Sequence, residues 1–314
     1  MSDSRSVTLI GLPRTGKSTY LGALWMIIQD DRATDILEVD IRGDRSYLER
    51  LGERVALLQE MKRTEVDSDD GLELTVELKD FGELALRIPD LSGETLRLLV
   101  EERTWHPLLR QGVDDSDAVL LFVHPDKLRI PVRTNFTAGI LAELMTTVPE
   151  DDDEESGVDP ATSPEASPAS PDSRTATTSD RVDVSPPFTP HVAATAAKLI
   201  DAVENILDAR QGRPMKLGIV VSAWDQVLLA WPSGENAPTP VKWIERRLPA
   251  LWQVLVANSD RVDAAVFGVS AIGGRLPDDY DMLMAKGSVY DRAYALSQDG
   301  TTVPFVAPIT WALT

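Results

Sequence analysis

The stretch GLPRTGKST, Gly11 to Thr19, sets two glycines, a lysine and a hydroxyl in the order G-x-x-x-x-G-K-S. That order suits a polyphosphate. Successive backbone N–H groups of such a loop can wrap a phosphate, and the following helix offers it a positive end. Gly11 and Gly16 stand where a Cβ would block the close approach or strain the chain. Lys17 supplies a point charge for the phosphate oxygens, and Ser18 a hydroxyl able to ligate Mg2+. Pro13, Arg14 and Thr15 fill the loop, with Arg14 serving either the phosphates or the surface, and Thr19 closes the helix start. A second part is then expected: an acidic residue ending a hydrophobic strand and aimed at the same metal. LALRIPDLSGE supplies Asp90 in that place, and Gly93 completes D-x-x-G. The amide of such a glycine can bond a γ-phosphate and let go when it leaves.

The elements around these residues must be strand, loop and helix in that order. SVTLIG, Ser6 to Gly11, reads as a short buried strand, and Leu21, Leu24, Trp25 and Ile28 line one face of a helix from Lys17. Asp30 to Asp70 reads as irregular apart from a helix over Asp44–Met61. LELTVEL and ELALRIPD, joined by KDFG, read as an antiparallel hairpin. DAVLLFVHP has the continuous apolar character of a parallel-sheet strand, as do MKLGIVVS and DAAVFGVSA. Helices are expected over Phe136–Val148, Pro190–Arg210 and Val241–Val256. The C-terminal PFVAPITWALT is apolar and should pack onto the body. The alternation implies an α/β, mostly parallel sheet with the hairpin as one antiparallel edge.

Composition narrows the function classes. The chain has 314 residues, no cysteine and a net charge of −20. Disulfides and thiolate metal sites are excluded, and nonspecific binding to nucleic acid or anionic membrane is disfavoured. A secretory signal and a membrane span are both missing from the pattern, so the cytoplasm is the expected location. The three histidines, His106, His124 and His191, form no zinc-ligand spacing. Glu150–Pro190 carries 11 acidic residues against 2 basic ones, which accounts for nine of the twenty excess negative charges. Residues 149–189, rich in Pro, Ser and Thr, read as a disordered insertion within a single domain spanning 1–314.

With these motifs in place the chain resembles the Ras-like TRAFAC P-loop GTPase superfamily. Within it, GLPRTGKSTYLGALW, PDLSGE and WDQ look most like the bacterial double-GTPase family. That resemblance implies a three-layer P-loop NTPase fold, GTP/GDP and Mg2+ as cofactors, and slow GTP hydrolysis. It also implies a conformational switch in a bacterial signalling or conflict system, acting on a protein effector or partner GTPase. The family's guanine motif, [NT]-K-x-D, falls on Ser222, Ala223, Trp224 and Asp225. There Asp225 would accept hydrogen bonds from the guanine N1–H and amino group. Ala223 stands in place of the lysine, and Trp224 either stacks on the base or packs in the core. Ser270 and Ala271 match the motif that meets the guanine carbonyl. Glu94 occupies the position that orients the attacking water, or else simply begins a helix. Thr64 is the expected switch threonine on Mg2+, with Thr34 the alternative, and Arg63 beside it is a cis finger or a solvated cation. Lys17, Glu94 and Thr64 are thus the catalytic candidates, and Ser18, Thr64 and Asp90 the metal ligands. Two other functions remain open at this level: an ATP-using P-loop ATPase or kinase, and a scaffold that binds nucleotide without turnover.

Overall fold

Continuous apolar runs with both faces buried dictate a sheet sandwiched between helices. In the computed structural model, residues 5–33, 36–59, 61, 71–80, 82–89, 93–128 and 195–314 are described. All belong to one compact unit made of residues 1–130 and 193–314; the second unit, residues 131–192, lies outside the described residues. The expected helix over Phe136–Val148 and the 149–189 insertion therefore fall outside them too.

Strand β1 (Arg5–Gly11) leads through the glycine loop into helix α1 (Lys17–Ile28). There follow β2 (Ile36–Arg42), α2 (Arg45–Ala56), β3 (Leu72–Leu78), β4 (Gly82–Ile88), α3 (Glu94–Glu102), α4 (Pro107–Asp115) and β5 (Ala118–Val123). After the second unit come α5 (Thr195–Ala209), β6 (Met215–Val221), α6 (Trp224–Leu229), α7 (Pro240–Arg247), α8 (Pro249–Ala257) and β7 (Val262–Ser270). The chain closes with α9 (Tyr280–Ala285), α10 (Val289–Arg292), β8 (Tyr294–Leu296), β9 (Thr302–Val303) and α11 (Ala307–Thr310).

The sheet order is β2-β3-β4-β1-β5-β6-β7-β8-β9. Strands β4, β1, β5, β6 and β7 run parallel to one another, which places the ends of β1, β5, β6 and β7 along one rim. The antiparallel part is larger than one hairpin. β2 adds outside the β3–β4 hairpin, and β8 and β9 extend the opposite edge. In β5, Ala118, Leu120 and Phe122 enter the core beneath α1, whereas Val119, Leu121 and Val123 enter the core beneath α5. Each of the Val, Leu and Phe side chains taken fully out of water contributes about 1.5–3 kcal/mol.

The expected helix over Val241–Val256 is two helices. Pro249 opens α8 because it has no N–H to continue α7, and Leu248 breaks the backbone at φ −132 and ψ 54. The expected C-terminal packing is present: Ile309, Ala312 and Leu313 are buried in the α1-side core.

One buried cation ties distant elements together. Arg292, 2% exposed, donates from Nη2 to the Val55 carbonyl and to the Ala56 carbonyl at 3.1 Å. Those are terminal carbonyls of α2, which a cation is well suited to cap. Its Nε and Nη1 find no hydrogen-bond partner, so part of the gain is offset by desolvation. Arg292→Ala is expected to lower stability by about 1–3 kcal/mol, through lost charged hydrogen bonds and packing. Urea unfolding should detect that drop, with Arg292→Met losing less because it keeps the apolar volume; an unchanged midpoint in both variants would contradict it.

Candidate functional site: a phosphate loop and a base recess

The loop takes its shape from three local facts. Gly16 caps α1 at φ 86 and ψ 5, and a Cβ there would sit 2.8 Å from the Ser222 side chain. At Gly11 a Cβ would meet Thr15 Oγ1 at 2.6 Å and the Phe122 carbonyl at 3.0 Å. Thr15 Oγ1 in turn donates to the Leu12 carbonyl at 2.8 Å and closes the turn. Arg14, exposed, adopts φ 61, a left-handed conformation that side chains with a Cβ seldom accept.

Lys17 is 3% exposed, and its Nζ donates to the carbonyls of Gly11 at 2.7 Å and Leu12 at 3.2 Å. The ammonium therefore lies over the loop it would serve. Ser18 follows it, half-buried, at the second position of α1. Gly93 lies against the same loop. At φ 85 its missing Cβ would stand 2.7 Å from the Gly11 oxygen, the Leu12 carbonyl carbon and the Pro13 nitrogen. The D-x-x-G glycine and the phosphate loop are thus in backbone contact, as their chemistry requires. Asp90, Thr64, Arg63 and Thr34 lie outside the described residues.

Beside the loop is a recess of about 150 Å³ lined by Gly16, Thr19, Ser222, Ala223, Asp225 and Ala271, among others. Residues that are far apart in sequence meet there because β1, β5, β6 and β7 end on the same rim. The Ser222 N–H and Oγ both bond the Val123 carbonyl, at 2.9 and 3.3 Å, which stitches β6 to β5. Ala223 begins α6 in the left-handed region, φ 48 and ψ 48. A non-glycine residue held there costs about 1–2 kcal/mol, and such strain concentrates at ligand sites.

Asp225 accepts a hydrogen bond from Ser270 Oγ, and Ser270 accepts one from the Gly273 N–H at 2.9 Å. Burial pushes the Asp225 carboxyl above its ordinary value, with Asp279 and Asp126 adding to the rise against the lowering by Ser270. His124, which follows β5 directly, also lines the recess; burial lowers its pKa, and its side chain accepts the Asp126 N–H at 3.2 Å.

For two residues the structure adds to the alternatives left open by the sequence. Trp224 is 0% exposed, its ring covers Gly268 and meets Trp243 edge-on at 6.3 Å. It is a core residue, and the ring is not offered to the recess. Glu94 begins α3 and pairs with Arg97 Nε at 2.5 Å. Arg97 also holds Glu101, which Lys198 of α5 bonds at 2.5 Å. Glu94 thus anchors a charge chain between α3 and α5 as well as opening a helix.

Sequence reasoning did not single out Tyr20, His124, Gln226 or Gly274 as recess residues. For His124 a signal existed, since it sits at the carboxyl end of a central parallel strand, where α/β sheets bind ligands. Among the described residues, no group of three or more metal-ligating side chains occurs, and no helix is long and apolar enough to cross a membrane.

Residues 8–312 match the family described as Double-GTPase 1. No curated protein matches the sequence. Among solved structures, the chain is similar to the signal recognition particle receptor SRb-GTP/SRX complex from Chaetomium thermophilum. That likeness is 13% identical with a TM-score of 0.38, over 90% of this chain and 97% of the other. A bacterial selenocysteine-specific elongation factor, EF-Sec, is similar at 12% identity and a TM-score of 0.33, over 90% of this chain and 28% of that one. Sup35 complexed with GDP is similar at 12% identity and a TM-score of 0.28, over 88% and 39%. The family match covers nearly the whole chain and contains every element of the loop and recess after β1 begins. The chain belongs to the Double-GTPase 1 family.

Proposed function

We propose that this chain, 1–314 as one GTPase-like domain carrying the 149–189 insertion, binds GTP and GDP with Mg2+ and hydrolyses GTP slowly as a conformational switch. The observation that carries this reading is the meeting of Gly16, Thr19 and Asp225 around one recess, with Gly93 against the adjoining loop. A base in the recess would place its phosphates along residues 11–18. The recess is smaller than the about 300–1,000 Å³ of sites that enclose a whole ligand, which fits a base with its phosphates outside.

Ser18 would hold the Mg2+, with Asp90 and Thr64 proposed as its other protein ligands; the ion would neutralise phosphate charge. Lys17 binds the β- and γ-phosphate oxygens as a fixed cation. Asp225 selects guanine by accepting from N1–H and the amino group, neither of which adenine offers in that pattern. Gly93 reports the γ-phosphate through its N–H, and α3 follows it. A role in a bacterial signalling or conflict system, and an effector or partner GTPase as its target, belong to this proposal as well.

The test is a phosphate-release assay with GTP in the presence and absence of Mg2+. Slow, Mg2+-dependent release is expected; release from ATP alone would remove the guanine reading. The Glu94–Arg97 pair favours a second reading, in which the protein holds GTP without turnover. Bound GTP that stays intact after purification and incubation would select it.

Acidification gives an independent check on Asp225. Because burial raises its pKa, the carboxylate is lost as pH falls through a value above that of an exposed aspartate. Guanine affinity is therefore expected to weaken as pH is lowered from neutral, while His124, whose own pKa is lowered by burial, takes up a proton only below the range of an ordinary histidine. Affinity for inosine nucleotides, which lack the amino group, should fall less. A flat profile for guanine would contradict the assignment.

A further inference from the structure

The base recess holds a donor that lies outside every nucleotide motif in the chain. His124 follows β5 and lines the recess together with Ser222, Ala223 and Asp225. Val123 and Val221 are register partners, so His124 and Ser222 leave the sheet side by side. The Nδ1 of His124 accepts the Asp126 N–H at 3.2 Å, within its own turn. An imidazole nitrogen that accepts a hydrogen bond carries no proton, so the proton of the neutral ring sits on Nε2. Nε2 has no hydrogen-bond partner among the described residues. The ring is thus held through one nitrogen and has an N–H to give from the other.

No side chain of the guanine motif has a proton to spare for the base. Where that motif has Asn or Thr the chain has Ser222, whose hydroxyl proton goes to the Val123 carbonyl at 3.3 Å. Trp224 is buried in the core, and Asp225, while ionised, only accepts. The sheet order then says where along a base the extra donor falls. β5 lies between β1 and β6, so His124 stands between the phosphate loop and Asp225. A guanine with its N1–H and amino group on Asp225 and its phosphates on residues 11–18 spans the same interval, its five-membered ring toward the phosphates. That ring has one free acceptor, N7, because N9 carries the sugar.

We propose that His124 is a base-binding residue: its Nε2–H donates to N7 of the purine held in the recess. This rests on the reading of the recess as the base site. Guanine and adenine both carry N7, so the contact from β5 contributes affinity for a purine, and Asp225 makes the choice between the two.

The probe is 7-deaza-GDP, which has C–H in place of N7 and keeps the N1–H, the amino group and the phosphates. Displacement of fluorescent GDP from the full chain would compare it with GDP. The unmodified chain should prefer GDP roughly 3- to 10-fold, the worth of one neutral hydrogen bond. His124→Phe keeps a ring and removes both nitrogens, and the preference should close to about 1 through loss of GDP affinity. His124→Gln sets an amide N–H near the position of Nε2 and should restore most of the preference. A role confined to holding the Asp126 turn would instead lower both affinities alike. A preference missing from the unmodified chain, or one that persists in His124→Phe, would overturn the proposal. Asp225→Asn tells this failure from that of the underlying reading. It should weaken GDP binding and leave the preference over 7-deaza-GDP in place; if GDP affinity does not change, the recess is not the base site.

Discussion

Lys17→Ala is expected to lose at least about 100-fold in affinity for both GTP and GDP, since each charge-assisted hydrogen bond of this kind is worth about 1.5–3 kcal/mol. The chain carries a net charge of −20, so a polyphosphate arriving at it is repelled at long range. Local cations have to overcome that, and Lys17 is the one buried against the loop, Arg14 being exposed. Its ammonium lies against the Gly11 and Leu12 carbonyls at 2.7 and 3.2 Å, on the inner side of the turn. Alanine would remove the charge and also those two ties across the loop. Thermal unfolding without nucleotide separates the effects: a folded variant that has lost nucleotide affinity supports the role assigned to Lys17. A folded variant that retains full affinity would contradict the phosphate-loop assignment itself.

Gly93→Ala is expected to erase the difference between the GTP and GDP states. The glycine sits at φ 85, where alanine alone costs about 1 kcal/mol or more. The added Cβ would also collide at 2.7 Å with three atoms, all of them backbone of the phosphate loop. No flexible side chain can move aside, so the N-terminus of α3 must retreat from the loop. The N–H that should sense the γ-phosphate retreats with it. GDP affinity is expected to change only a few-fold, because the contact with the β-phosphate belongs to residues 11–18. GTP affinity should drop about 10-fold or more, consistent with a charge-assisted bond to the γ-phosphate being lost. Limited proteolysis checks the state: with a non-hydrolysable GTP analogue the variant should give the GDP-like digestion pattern, whereas a preserved GTP-specific pattern would contradict the role given to Gly93.

How much of this was legible beforehand depends on how local each signal is. The phosphate loop was legible because strand, turn and helix start are contiguous and each residue type has its own stereochemical reason. The strands β5, β6 and β7 were legible because both faces are apolar. β2 was not, since a register irregularity between Ile36 and Glu38 interrupts its alternation, and Asp40 and Arg42 on it are exposed. β8 and β9, of three and two residues, are too short to show any period. The break between α7 and α8 was written in the chain as Pro249 and was outweighed by the apolar stripe running across it. At the site, Asp225 was singled out through the resemblance, whose guanine motif falls on it; its hydrogen bond from Ser270 was not legible, because that bond joins residues 45 apart in sequence. Trp224 was read both ways from sequence; only the close approach of Gly268 beneath its ring decides for the core.

The most direct test of the central claim is a competition titration, with Mg2+ present, in which GTP and ATP displace fluorescent GDP from the purified chain. A recess that reads guanine through Asp225 should let GTP compete at a concentration lower by about 100-fold or more, since a site built to hydrogen-bond one base rejects another strongly. Equal displacement by the two nucleotides, or a preference for ATP, would contradict it.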